Sequence, residues 1–197
     1  MRKIHENLEN PFDNAIYIIV EYLAPYAHKF GFTPNMITTI SNIFAIIAIY
    51  YLIKHYFVVS GILYLISYMF DCLDGYVARK YNMVTIFGDY YDHISDAVKF
   101  IAYLGTLYLI NSKLLLLFLP ILIYIGLLTY MQIASQELYY GKQSHSPSLS
   151  ILNKFVGKIN KETAEENLKY YRYFGCGTFN FLVAIISIVY GCFYRNY

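Results

Sequence analysis

Four aspartates sit in two pairs inside apolar sequence: Asp71 and Asp74 in Asp-Cys-Leu-Asp-Gly, then Asp92 and Asp96 in Asp-His-Ile-Ser-Asp. Hydrocarbon is the wrong place for an acid, so such residues mark a functional site by default. Spacings of i, i+3 and i, i+4 put each pair on one face of a helix. Four carboxylates converging in a low-dielectric site cannot all stay ionised without a cation. Oxygen-only ligands suit Mg2+ or Mn2+ rather than zinc. Four acids could hold two such ions about 4 Å apart, the geometry of a phosphoryl-transfer clamp. Around them, Arg79 offers bidentate pairing to phosphate oxygens. Gly75, Ala78 and Gly88 leave room for a ligand to approach the backbone.

The elements that position these acids follow from composition. The 197 residues are 58% hydrophobic and only 14% charged, with mean hydropathy +0.41. That is the signature of an all-α polytopic membrane bundle rather than a soluble domain. Residues Pro11 to Phe30 mix apolar and charged positions and read as an amphipathic helix lying in the interface, interrupted at Pro25. Pro34 suits the first turn of the next helix. Spans are expected from Asn35 to about His55, Tyr56 to Arg79, Gly88 to Ile110, Lys113 to Ile133 and Tyr171 to Tyr194. A polar stretch runs from about Ser135 to Lys169, and a short sixth span within Leu149 to Ile159 would raise the count from five to six. The chain thus divides into residues 1–34, an N-terminus with the interfacial helix, and 35–197, the membrane domain. Three cysteines, Cys72, Cys176 and Cys192, do not make a disulfide framework. No cleavable signal peptide is read at the N-terminus.

Charge sets the orientation. With the N-terminus inside and five spans, Arg2, Lys3, Lys29, Arg79, Lys80, Lys142, Lys154, Lys158, Lys161, Lys169 and Arg172 fall on the cytoplasmic side. Only Lys54, Lys113 and Arg195 fall outside. About 15 residues precede Asp71 in its span and about 14 follow Asp96, each roughly 21–22 Å of helix. The two acid pairs therefore meet at one depth, in the cytoplasmic third of the bilayer. Basic residues are dispersed, which argues against nucleic acid as a partner.

Read together, these residues spell D-x2-D-G-x2-A-R-x8-G-x3-D-x3-D from Asp71 to Asp96. All eight fixed positions match the signature of the CDP-alcohol phosphotransferases, membrane enzymes of phospholipid head-group synthesis, and the chain resembles that family. Thr33-Pro34-Asn35-Met-Ile-Thr38 is similar to the start of the family's first span. The resemblance implies that the hydroxyl of an acceptor alcohol attacks the β-phosphorus of a CDP-linked substrate and CMP leaves. It implies a metal site of Asp71, Asp74, Asp92 and Asp96, with Asp96, beside the metal, also the general base. It implies a nucleotide pocket of Asp74, Gly75, Ala78, Arg79, Thr85 and Gly88, reached by Asn35 and Thr38. It also implies two divalent ions and a homodimer.

Two forms of the reaction stay open. CDP-diacylglycerol could donate to a small polar alcohol, as in phosphatidylglycerol-phosphate, phosphatidylserine or phosphatidylinositol synthases; the short length favours this. A CDP-choline or CDP-ethanolamine could instead donate to diacylglycerol, towards which His93 leans. Asp89, His93 and Lys99 are candidates for contact with the acceptor or support of the acids. The rival class is a cation transporter or channel, which predicts acids along a continuous path and leaves Gly75, Ala78 and Arg79 unexplained. Polar glue between helices would account for a single acid more readily than for four. Arg79 could equally anchor a helix end, and Gly75 and Ala78 could serve close packing.

Overall fold

The computed structural model describes residues 2–140 and 161–194. It is all-helical, with no strand among the described residues: α1 (Pro11–Lys29), α2 (Pro34–Ile53), α3 (Phe57–Lys80), α4 (Ile86–Ile110), α5 (Ser112–Tyr140), α6 (Lys161–Tyr171) and α7 (Cys176–Tyr194). One 3-10 turn, Arg172–Phe174, links the last two. The stretch 149–159, with its candidate sixth span, and the charges Lys142, Lys154, Lys158 and Arg195 lie outside the described residues.

Local chemistry sets the helix ends. Asn10 caps α1, its side chain accepting from the Phe12 and Asp13 N–H groups, with Pro11 in the first turn. Thr33 caps α2 ahead of Pro34, and the Thr85 hydroxyl caps α4 by accepting from the Gly88 N–H at 3.0 Å. At the other ends the chain turns through positive φ at Gly31 (77°), His55 (62°) and Asn82 (54°). In each case the N–H after the turn residue returns to a carbonyl five residues back: Phe32 to Ala27, Tyr56 to Tyr51 and Met83 to Ala78. This is the left-handed helix stop, and it makes α2, α3 and α4 antiparallel neighbours joined by short links.

Four helical segments are long and apolar enough to cross a membrane: Pro34–Ile53, Phe57–Lys80, Ser112–Tyr139 and Glu162–Phe193. The expected third span, now α4, is not in that set, because Asp89, Asp92, Asp96 and Lys99 crowd its first half. Its outer face is nonetheless apolar, with Ile94, Val98, Ile101 and Leu109 exposed. Three further expectations shift. Helix α1 runs through Pro25 instead of breaking, with Pro25 on its exposed face, where the carbonyl it cannot bond is not shut in the core. Helix α5 continues seven residues past Ile133, and a separate helix, α6, occupies part of the expected polar stretch. There Ala164 and Leu168 are fully buried, Leu168 against Ile4, Leu8 and Tyr139, so tertiary packing rather than span hydrophobicity holds it.

Two apolar clusters bracket the acids. At one end Leu52, Phe57, Tyr64, Tyr103, Leu107 and Tyr190 join α2, α3, α4 and α7. At the other, Tyr17, Val20 and Ala24 of α1 pack on Ile37, Leu73 and Val77. Between them α2 and α3 exchange a reciprocal pair of hydroxyl bonds: Ser41 Oγ donates to the Ser67 carbonyl and Ser67 Oγ to the Ser41 carbonyl, both at 2.9 Å. Gly61 lets α7 approach α3, since a Cβ there would stand 3.0 Å from the Ala184 carbonyl oxygen.

Candidate active site

The antiparallel pairing of α3 and α4 brings the acids together as their spacing requires. One oxygen from each of Asp71, Asp74 and Asp92 lies within 4.8 Å of the others. Asp74 is buried and accepts from the Thr38 hydroxyl at 2.5 Å. Asp92 Oδ1 is buried with no hydrogen-bond partner. An orphaned carboxylate oxygen beside two more carboxylates is costly, and a hard divalent cation is the ligand that oxygen donors of this kind fit. Asp96 is not part of that triad. Its Oδ1 meets Lys99 Nζ at 2.8 Å, and the same ammonium reaches Asp71 Oδ1 at 2.8 Å and Ser41 Oγ at 2.9 Å. Three acids thus form one group, while the fourth stands beside it on a lysine bridge.

These side chains line a cavity of about 350 Å³ that also receives Gly75, Arg79, His93 and Lys99. The remaining expected residues sit around it. Gly88 is pinned between Asn35 and Thr85, where a Cβ would stand 2.9 Å from both side-chain oxygens. Neither those three nor Ala78 and Thr38 lines the cavity itself; Thr38 touches it through Asp74. Asp89 lies off the cavity, its backbone carbonyl meeting His93 Nδ1 at 2.7 Å.

Sequence reasoning missed a second group of lining residues: Asp13, Tyr64, Tyr68, Gln132, Gln136 and Asn180. Asp13 is one of the charged positions of the expected interfacial helix, yet it points inward and accepts from Tyr68 Oη at 2.6 Å and from the Gly177 N–H at 3.3 Å. Burial, countered by the Tyr68 hydrogen bond, lifts its carboxyl to about 6. Glu9, buried beside it, is pushed up to about 7 by burial and then by the Asp13 charge. The available signal was the polar side chain in an apolar helix: Gln132 and Gln136 follow a long aliphatic run, and Asn180 interrupts α7.

The model of the CDP-alcohol phosphatidyltransferases matches residues 32–190. The chain belongs to this family. Similar curated proteins are CDP-diacylglycerol–inositol 3-phosphatidyltransferases. The protein from Drosophila melanogaster is 35% identical over 74 residues, covering 38% of this chain and 33% of that one. That from Candida albicans is 40% identical over 82 residues, 40% of this chain and 35% of its own. That from Rattus norvegicus is 35% identical over 94 residues, 48% and 44% respectively. The matches therefore span 33–44% of the length of these relatives. No solved structure matches the chain. Family and apolar helices together make this a membrane protein.

Proposed function

We propose that the chain transfers a phosphatidyl group from CDP-diacylglycerol to a small polar alcohol, inositol being the favoured acceptor, with release of CMP. The observation that carries this reading is the triad Asp71, Asp74 and Asp92 with Asp96 set apart on Lys99. In support, the similar proteins are named for inositol transfer from CDP-diacylglycerol.

Asp71, Asp74 and Asp92 would hold Mg2+ or Mn2+, two ions in the full site. Bound there, the cations neutralise the pyrophosphate charge and make CMP a better leaving group. Every other part is the chain's own. Gly75 and Arg79 receive the nucleotide in the cavity, with Ala78, Thr85, Gly88, Asn35 and Thr38 bracing that pocket from around it. Asp96 accepts the proton of the acceptor hydroxyl as its oxygen bonds to the β-phosphorus and the bond to the CMP oxygen breaks. Lys99 orients Asp96 and keeps it beside Asp71. The choline or ethanolamine alternative leaned on His93, whose Nδ1 is engaged by the Asp89 carbonyl. A transport path is disfavoured by acids gathered at one depth.

In the bilayer, α4 serves as the third of five crossings, its acids turned into the bundle and its apolar face to lipid. The site opens to the cytoplasm and the chain acts as a homodimer. The test is metal-dependent CMP release from CDP-diacylglycerol by purified protein in lipid micelles, across a panel of alcohols. No release with any alcohol would remove the proposal.

A further inference from the structure

The cavity extends beyond the aspartates. On α3, Tyr68 and Tyr64 lie one and two turns before Asp71, and α5 faces them with Gln132 and Gln136, one turn apart. Helix α7 adds Asn180, and α1 adds Asp13. Hydrogen bonds fix these groups without exhausting them. Asp13 accepts from Tyr68 and Gly177, two of the roughly four bonds a carboxylate can take. Asn180 accepts from Tyr64 Oη at 2.9 Å and gives one of its two N–H bonds to the Cys176 carbonyl at 3.0 Å. Gln132 and Gln136 bring two more primary amides. This lobe adjoins the reacting groups: Phe100, one turn from Asp96, packs its ring 5.2 Å from that of Phe179, the neighbour of Asn180.

The chemistry of the lobe selects its occupant. Amides donate and accept, a carboxylate accepts, and a hydroxyl does both, so several convergent groups of this kind match a molecule carrying several hydroxyls. Charge argues against an anionic occupant. Glu9 and Asp13 both face the cavity, while Lys3 is engaged by Glu137 and Lys99 by Asp71 and Asp96. The Arg79 guanidinium folds back to Gly75, 3.1 Å from where a Cβ would stand, and Gly75 lies seven residues or about 10 Å along α3 from Tyr68.

We infer that this lobe seats the acceptor and takes an uncharged polyol, its hydroxyls exchanging hydrogen bonds with Gln132, Gln136, Asn180 and Asp13. The word acceptor rests on the reaction proposed above; the polyol site stands on the cavity alone. Asp13 precedes the family match at residues 32–190, so α1 supplies a specificity residue from outside the domain's signature.

The test separates binding from turnover. Equilibrium binding of radiolabelled myo-inositol is measured on the full chain in mixed micelles with Mn2+ and CMP. Saturable binding is expected, displaced by neutral cyclic polyols and not by equal glycerol 3-phosphate or serine. Gln136→Met should weaken inositol binding tenfold or more with CMP affinity unchanged within twofold, which also reports an intact fold. Asp13→Asn should do the same, its amide oxygen still accepting from Tyr68. Absence of saturable inositol binding, unchanged binding in both variants, or equal displacement by glycerol 3-phosphate would overturn the inference. Inositol binding without CMP release would uphold the lobe and sink the proposed reaction. CMP release with only a charged acceptor would do the reverse.

Discussion

At the scale of single residues, the division of labour proposed for the four aspartates rests on position. Asp71, Asp74 and Asp92 share one point, whereas Asp96 faces it from a lysine bridge. Asp96→Asn should therefore abolish turnover, a loss of at least a hundredfold for a general base, while Mn2+ and CDP affinity stay near parental. Near-parental turnover would refute its role as base. Asp71→Asn should instead weaken Mn2+ binding, and an unchanged metal titration would remove it from the ligand set. Lys99 is the protein's own cation in this cluster. Replacing it with Met strips the acids of their partner, a change that costs about 3–5 kcal/mol for a fully buried pair and less here, where Asp96 is partly exposed. A divalent ion can return that charge and stabilises by binding only the folded state. The rise in Tm on adding Mn2+ should be larger for Lys99→Met than for the parent protein, and equal rises would contradict this.

At the scale of elements, α3 and α4 present the acids only because their ends are fixed by chemistry local in sequence. The Thr85 cap and the turn at Asn82 come from the structure, but the Pro34 start could be read beforehand. So could the meeting of the acid pairs, since helical spacing and a short link leave two antiparallel neighbours little choice of depth. What could not be read is how helices distant in sequence close on that pair. Gly61 looks like any glycine in an apolar run, yet it seats α7 against α3 through a backbone contact. Gly61→Ala should cost about 1–3 kcal/mol by overpacking, seen as a fall in Tm of about 2–4 °C per kcal/mol. The aspartates lie about three turns further along α3, so donor KM should hold. An unchanged Tm would mean that α7 can retreat freely. Asp13 is the second such case. Its helix has a polar and an apolar face, and periodicity alone assigned the polar face to water. Only contact with Tyr68 and Gly177 turns that residue inward. Likewise α6 has no span-like hydrophobicity, and its burial against α5 and the N-terminal segment is a tertiary fact.

At the scale of the whole molecule, the N-terminal segment and α1 close the bundle over the cavity. Arg2 bonds Glu21 at 2.7 Å and Asn14 at 2.8 Å, Lys3 pairs with Glu137, and Asn10 donates to the Arg172 carbonyl at 2.6 Å and to Thr178 Oγ1 at 2.8 Å. Glu9 sits under this cover with its carboxyl raised from 4.5 to about 7, and Asp13 from 3.8 to about 6. For an acid raised on folding, the unfolded chain ionises first, so the stability it contributes is full below its unfolded pKa and is lost as pH rises through the folded value. Both groups act in the same direction. Tm in detergent should fall as pH rises from about 5 to 7, and Glu9→Gln should flatten that slope. A slope unchanged by the substitution would place the titration elsewhere.

The aspartate cluster is proposed to perform metal-dependent transfer from a CDP-linked lipid. The most direct measurement is CMP release from CDP-diacylglycerol and inositol by the purified protein, with Mg2+ or Mn2+ against a chelator, in parent and Asp96→Asn. The prediction is saturable release that the chelator abolishes and that Asp96→Asn loses while still binding metal. Release that persists in the chelator, or no release with any alcohol, would contradict it.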